Sequence, residues 1–205
     1  VTYMAGKTYN AKTKARLSAD FELIDLVTEK KVVESQSNKN GEFLVCLPTG
    51  KNYALNVSKK DFLFYSESFR LKTNKSFEPT YKDIPLQPIE IGNKVILKNI
   101  FFDVDKFKLK SESKVEMKKL AEFLQNNLTL KIEIGGHTDN QGVLRQNQTL
   151  SQNRAKSVMD WLVYYGVKAN RLSFKGYADR EPIESNKTEE GRAENRRTEI
   201  KIVGK

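Results

Sequence analysis

The sequence predicts two domains in series: an all-β sandwich over residues 1–88, then an α/β sandwich over residues 97–205, with a linker at 89–96. Three observations carry this reading. Residues 1–88 break into short segments of alternating apolar and polar residues, cut by turn signals. Pro85, Pro88 and Gly92 then interrupt the pattern. Beyond that seam strand-like and helix-like periods alternate as strand–helix–strand–helix–strand–strand, a βαβαββ order that implies a mixed sheet with helices on one face.

In the first half the expected strands are Thr2–Gly6, Ala19–Asp25, Lys31–Ser35, Glu42–Leu47, Tyr53–Val57, Phe62–Arg70 and a last one near Phe77–Ile84. Alternation is plain in Phe21-Glu22-Leu23-Ile24 and Tyr53-Ala54-Leu55-Asn56-Val57. Asn38-Lys39-Asn40-Gly41 and Pro48-Thr49-Gly50 punctuate the run, because glycine admits the positive φ of tight turns. Seven short strands at this spacing predict a sandwich.

In the second half Lys98–Phe102 reads as a strand ending in the loop Asp103-Val104-Asp105-Lys106. Ser111–Asn126 reads as an amphipathic helix, with Met117, Leu120, Ala121 and Leu124 at i, i+3, i+4, i+7 and Ser113-x-x-Glu116 as a capping box. Leu130–Ile134 is a strand closed by Gly135-Gly136. Leu144–Tyr165 is a second helix, with Gly166 as its C′ residue. Arg171–Tyr177 is a third strand, Glu189–Glu194 a short helix and Arg197–Val203 the final strand.

Bulk composition narrows the function. Apolar residues run through the whole length, which argues against disorder. No apolar run approaches the about 20 residues needed to span a bilayer. The chain opens Val1-Thr2-Tyr3 without a leader pattern, so it is expected to be a fragment or processed product. A formal net charge of +10 admits an anionic partner such as nucleic acid, but the charges are interspersed and read as a solvated surface. Cys46 is the sole cysteine and is expected in the core; His137 is the sole histidine. An internal disulfide and a His- or Cys-rich zinc site are therefore excluded.

The stretch from Gly135-Gly136-His137-Thr138-Asp139 to Leu150-Ser151-Gln152-Asn153-Arg154 carries the candidate chemistry. At about 100° per residue, Leu144, Leu150, Val158, Trp161, Leu162 and Tyr165 share one stripe of the second helix, and Asn147 and Arg154 fall inside it. Gln152, Asn153, Lys156 and Asp160 fall opposite. An arginine amid apolar neighbours needs an anion. Asp139, in the loop that feeds this helix, is the natural candidate, with Thr138 and Asn140 beside it. Two arrangements satisfy this: a direct Asp139–Arg154 ion pair, or a clamp in which one zwitterionic ligand spans both.

Two resemblances bear on the choice. The Gly6-Lys7 opening, the Thr13-Lys14 turn, Asn40-Gly41-Glu42-Phe43 and Leu47-Pro48-Thr49-Gly50-Lys51-Asn52-Tyr53 resemble the carboxypeptidase-regulatory-like, transthyretin-type sandwich, which implies a spacer or interaction module. Residues 98–203 resemble the outer-membrane-protein-A C-terminal domain, shared with peptidoglycan-associated lipoprotein and the flagellar-motor stator protein B. That resemblance rests on Ile100-Phe101-Phe102-Asp103, Ile134-Gly135-Gly136-His137-Thr138-Asp139, Asn147-Gln148-x-Leu150-Ser151-x-x-Arg154-Ala155, Gly176-Tyr177 and Gly191-Arg192-Ala193-x-Asn195-Arg196-Arg197-x-Glu199. It implies noncovalent binding of peptidoglycan through stem-peptide diaminopimelate, with Asp139 on the ammonium and Arg154 on the carboxylate. It further implies contacts from Phe102 and Asp103 and a groove lined by Asn147 and Leu150. The sequence departs from many relatives at Gly135-Gly136 and at Val104-Asp105. Envelope proteins that join two such modules are typical of Bacteroidetes-type outer membranes. The resemblance thus implies a periplasmic anchor whose N-terminal domain meets other envelope proteins, with no cofactor.

Other readings are weaker. His137 has no nucleophile at a recognisable spacing, so a catalytic role is not expected. Asp103 and Asp105 lack the glycine and terminal glutamate of a calcium loop. Arg192, Arg196 and Arg197 are expected to pair with Glu189, Glu190, Glu194 and Glu199. A basic nucleic-acid-binding module, or a protein-interaction module without peptidoglycan binding, remains the alternative.

Overall fold

A computed structural model describes residues 2–70 and 80–205. The chain divides into two compact units, Val1–Ile89 and Glu90–Lys205. The order of a β unit followed by an α/β unit is the one expected.

The first unit contains β1 (Thr2–Asn10), β2 (Asp20–Asp25), β3 (Lys31–Gln36), β4 (Glu42–Leu47), β5 (Asn52–Ser58), β6 (Tyr65–Arg70), β7 (Thr80–Tyr81) and β8 (Ile84–Leu86). One sheet runs β4-β1-β7, with β8 also paired to β1; the other runs β3-β2-β5-β6. The strand expected near Phe77–Ile84 falls partly outside the described residues and partly on β7. Alternation sends Phe21 and Leu23 of β2 and Phe43, Val45 and Leu47 of β4 into a shared core with Tyr53, Leu55 and Val57. The Phe21 and Phe43 rings, one from each sheet, meet at 5.3 Å. The same alternation turns Cys46 outward, so the expected core cysteine is exposed.

The second unit contains β9 (Lys94–Ile96), a 3-10 turn at Ser111–Ser113, α1 (Lys114–Asn126), β10 (Lys131–His137), α2 (Leu144–Tyr164), a 3-10 turn at Ala169–Arg171, β11 (Leu172–Ala178), α3 (Glu189–Asn195) and β12 (Thr198–Gly204). The sheet order is β11-β10-β12-β9, with β10 and β11 parallel and the other pairs antiparallel. The crossover through α2 makes β10 and β11 parallel neighbours, as a βαβ unit requires.

Three local expectations change. The strand expected at Lys98–Phe102 lies instead at Lys94–Ile96, inside the segment expected as linker, where it pairs with Lys201, Ile200 and Glu199 of β12. Burial of Val95 and Leu97 drives this. The capping box does not form: Ser113 Oγ accepts from Phe101 N at 2.8 Å, and buried Glu116 accepts from Asn99 Nδ2 at 3.1 Å. These polar groups tie the segment before α1 to the helix. Finally, β10 runs on through both glycines to His137.

The core of this unit places Met117, Leu120, Ala121 and Leu124 of α1 with Ile132, Ile134, Ile200 and Ile202 of the sheet. Arg171 closes the end of α1. Its guanidinium is buried and donates to the carbonyls of Leu124, Asn127 and Leu130 at 2.9, 2.7 and 2.9 Å. A helix end and the turn after it leave such carbonyls short of donors, and the one at Asn127 accepts also from Leu130 N at 3.2 Å.

Candidate functional site

The site begins with how α2 sits on the sheet. Gly136 and Gly176 are register partners on adjacent strands. A Cβ on Gly136 would lie 2.2 Å from the Ser151 carbonyl oxygen, and one on Gly176 would lie 2.4 Å from the Gln152 nitrogen. The helix backbone therefore rests directly on the two glycines. It buries Val158 and Leu162 of the expected stripe together with the small Ser151 and Ala155, while Leu144 and Tyr165 of that stripe are exposed. Gln152, expected towards solvent, is half-buried. Gln148 Nε2 donates to Gly176 O at 2.7 Å, Gln152 Oε1 accepts from Gly176 N, and Ser151 Oγ accepts from Ala178 N at 3.1 Å. The helix thus satisfies the free edge of β11, which hydropathy alone does not reveal.

That seating brings the next turns of α2 against two loops. After β10, Asp139 is buried to 8 % exposure. Its Oδ1 accepts from Gln141 N at 2.9 Å, and its backbone carbonyl accepts from Thr138 Oγ1 at 2.9 Å. Asn147 Nδ2 donates to Gln141 O at 2.8 Å and holds the turn closed. After β9, the 101–110 loop is pinched by a Phe102–Leu109 bridge and by Lys110 N donating to Phe101 O at 3.0 Å. Asp105, at φ +54°, turns its tip. Two carbonyls of this loop then face α2.

Arg154 reaches them. Its Nε donates to Lys106 O at 2.9 Å, its Nη2 donates to Asp103 O at 3.2 Å, and its guanidinium lies 5.0 Å from the Phe102 ring centre. Burial lowers the Arg154 pKa, partly offset by the Asp105 charge and reinforced by Arg196 nearby. The anion expected beside Arg154 is thus replaced by backbone carbonyls and an aromatic face. Asp139 and Arg154 do not pair with each other.

The partner of Asp139 is Arg196. Arg196 Nη1 lies 2.6 Å from Asp139 Oδ2, and Nη2 lies 2.7 Å from Glu189 Oε1. The hydrogen bonds that Arg196 donates to Asp139 and Glu189 raise its pKa, and those that Glu189 accepts from Arg196 and Arg192 lower that of Glu189. Arg192–Glu189 and Arg197–Glu199 are the local pairs expected of this cluster. The Asp139 contact was missed. The signal lay in strand register: Gly136 opposes Thr198, so an antiparallel count places residue 196 beside 138 and 139.

All seven residues singled out from the sequence line one cavity of about 590 Å³: Phe102, Asp103, Thr138, Asp139, Asn147, Leu150 and Arg154. Glu189 and Arg196 complete its charged rim. His137 is not among the lining residues. It is buried, stacked on Tyr177 at 4.9 Å, with Nε2 3.3 Å from Glu199 Oε1. Burial pushes the Glu199 carboxyl up, but its close contacts with His137 and Lys94 and the charge of Arg197 outweigh it and hold it at about 2. Among the described residues no group of three or more His, Cys, Asp or Glu side chains could hold a metal ion.

Comparison with known proteins falls on the same residues. Residues 101–196 match the OmpA family. The C-terminal unit carries an OmpA-type domain. Outer membrane protein Omp38 of Acinetobacter baumannii is 44 % identical over 131 residues, covering 62 % of this chain and 36 % of its own. Outer membrane protein A of Bordetella avium is 40 % identical over 119 residues, covering 58 % and 61 %. The solved structure of the cell wall anchor of the T6SS from Pseudomonas aeruginosa is 30 % identical, covers 55 % of this chain and 80 % of its own, and superposes with a TM-score of 0.48. The chain spans less than two thirds of the length of either curated relative.

Proposed function

We propose that the C-terminal unit binds peptidoglycan noncovalently, through the diaminopimelate of the stem peptide, and so anchors a larger envelope protein to the cell wall. The observation that carries this reading is that a carboxylate, Asp139, and a guanidinium, Arg154, line one open cavity without pairing to each other. Asp139 takes the ligand ammonium. Arg154 takes the ligand carboxylate through Nη1 and the second N–H of Nη2, because Nε–H and the other N–H of Nη2 are already engaged by loop carbonyls. Each such charge-assisted bond contributes about 1.5–3 kcal/mol. The OmpA-type match supports the same ligand class.

The module binds and does not catalyse, and its place is the periplasm, beside the wall and the outer membrane. The β unit, resembling the carboxypeptidase-regulatory-like sandwich, serves as spacer and as the contact to other envelope proteins. A nucleic-acid role has no support: Arg192, Arg196 and Arg197, the densest basic cluster, are engaged with Glu189, Asp139 and Glu199.

Sedimentation with purified murein tests the reading. Asp139→Ala and Arg154→Ala each reduce co-pelleting sharply while the fold persists. Unchanged pelleting of both variants overturns the site, and equal binding to lysine-type wall overturns the ligand.

A further inference from the structure

In the first unit β4 ends its sheet, with β1 on one side and, among the described residues, no strand on the other. An antiparallel pair of strands bonds only at alternate positions. Thr8 N donates to Gly41 O at 2.8 Å, so in the same register the bonded residues of β4 are Phe43, Val45 and Leu47. The backbone groups of Leu44 and Cys46 therefore point to the open edge. Ala5, opposite Leu44 on β1, likewise turns its carbonyl away from β4, to Lys82 N at 2.8 Å. Both ends of the opening are closed. At one, Glu42 N donates to Asn38 Oδ1 and Glu42 O accepts from Asn38 N, each at 2.9 Å. At the other, Pro48 has no N–H to offer.

Strand edges are ordinarily guarded by charges, prolines or bulges. β3, which ends the other sheet, carries Lys31 and Glu34, ion-paired at 3.0 Å, and its ladder with β2 is broken by a bulge. β4 carries no charge and no proline from Phe43 to Leu47. Its register with β1 is unbroken. Leu44 is 65 % exposed, beside the exposed Cys46.

We infer that this edge pairs with the same edge of a second copy of the chain, antiparallel about a two-fold axis through Val45. Each open residue offers one N–H and one C=O. In this register Leu44 lies opposite Cys46 of the second copy, and Cys46 opposite its Leu44. Both pairs fall on bonding positions, so every open group is satisfied. Moving the axis to Cys46 sets Leu44 against Pro48, and moving it to Leu44 sets Cys46 against Glu42, whose groups are engaged. The pairing also lays a long side chain beside a short one and covers both. It keeps the two Glu42 carboxylates at opposite ends, about six positions or 20 Å apart. So short a strip buries well under the about 1,200 Å² of a stable interface, which makes the pair weak and reversible. On the peptidoglycan reading above, such a pair carries two clamps, and bivalent attachment strengthens hold on the wall without any new contact.

Sedimentation equilibrium of the whole chain, under reducing conditions, tests the association. A reversible dimer with a dissociation constant on the order of 100 µM is expected. Leu44→Lys is expected to weaken it about tenfold or more. Cys46→Pro, which removes an edge donor without touching a bond to β1, is expected to do the same. Cys46→Ser keeps the backbone and leaves the dimer unchanged, as does Val32→Lys on the guarded β3. Leu44, Cys46 and Val32 are all exposed, so these variants keep the fold. A chain that stays monomeric, or a dimer that Leu44→Lys and Cys46→Pro leave intact, overturns the proposal. A dimer lost in Cys46→Ser assigns association to the thiol and also overturns it.

Oxidative crosslinking reads the register. Directly opposite bonded residues have Cα atoms about 5.5 Å apart, within disulfide range, whereas Cys46 and Cys46 of the second copy lie on a diagonal of about 7–8 Å. Leu44→Cys is therefore expected to give a covalent dimer. The wild-type chain and Leu44→Cys combined with Cys46→Ser are not. A covalent dimer from either of these two places the axis elsewhere and overturns the pairing.

Discussion

Arg196 Nη1 sits 2.6 Å from Asp139 Oδ2, which ties the loop after β10 to the link between α3 and β12 across 57 positions of sequence. The acid at the centre of the candidate site is therefore held by an internal cation, while Arg154 is held by carbonyls on the other side of the same cavity. Each charge is oriented before any ligand arrives, and each retains unused hydrogen-bonding capacity. Preorganisation of this kind reduces the ordering cost of binding.

The Asp139–Arg196 tie is measurable by a double-mutant cycle. Asp139→Asn, Arg196→Gln and the double variant, compared by urea unfolding, should give a coupling of about 1 kcal/mol, modest because Arg196 is half exposed to solvent. Additive effects would show that the pair contributes nothing to stability.

Gly136→Ala and Gly176→Ala should each destabilise the C-terminal unit by several kcal/mol, on the order of 3 or more, since a Cβ would collide with helix backbone that cannot give way locally. Both should weaken murein binding as well, by displacing the turns that carry Asn147 and Arg154. Gly166→Ala is the control. Its φ is +92° but the space around it is open, so the loss should be about 1 kcal/mol, with binding intact. Equal losses at all three positions would contradict the seating of α2.

Arg171→Met should cost about 2–4 kcal/mol, because the buried carbonyls of Leu124 and Leu130 lose their side-chain donor and the half-buried one of Asn127 loses one of two, while affinity for murein stays unchanged. Urea denaturation gives the first value and sedimentation the second. A parallel loss of binding would place Arg171 in the site's own support.

Acid sensitivity should trace to Glu199. Its carboxyl titrates at about 2 in the folded chain, against about 4.5 for an unperturbed glutamate. The folded state thus binds fewer protons than the unfolded state between these values. The associated stability is fully present above about pH 4.5 and is lost as pH falls towards 2, on the order of 3 kcal/mol. Glu199→Gln should flatten the stability–pH curve over that window. An unchanged slope would assign the acid transition to other carboxylates.

Much of the fold could be read from residue order. The short run Glu42–Leu47 between turn signals identified β4, and the i, i+3, i+4, i+7 spacing of Met117, Leu120, Ala121 and Leu124 identified α1, because both signals are short-range. The alternation of Phe43, Val45 and Leu47 inward should have turned Cys46 outward. Hydrophobic rank, which put it in the core, was the wrong guide there.

The helix that carries the site was harder. Hydropathy put the buried stripe of α2 on Leu144, Leu150, Val158, Trp161, Leu162 and Tyr165; Val158 and Leu162 are buried, but Leu144 and Tyr165 are exposed and the helix buries Ser151 and Ala155 instead, because it lies on glycines that leave room only for small residues. Ser113 and Glu116 have the spacing of a capping box, yet long-range partners, Phe101 and Asn99, claim both side chains.

By itself the sequence determined the order of β and α/β units and picked out seven residues that line one cavity. The tertiary structure decided who holds whom: Arg196 on Asp139, loop carbonyls on Arg154, and α2 on Gly136 and Gly176. Periodicity is a local property and survives in a one-dimensional string. Ion-pair partners and helix seating depend on strand register and on the space that absent side chains leave, and both arise only when distant segments meet.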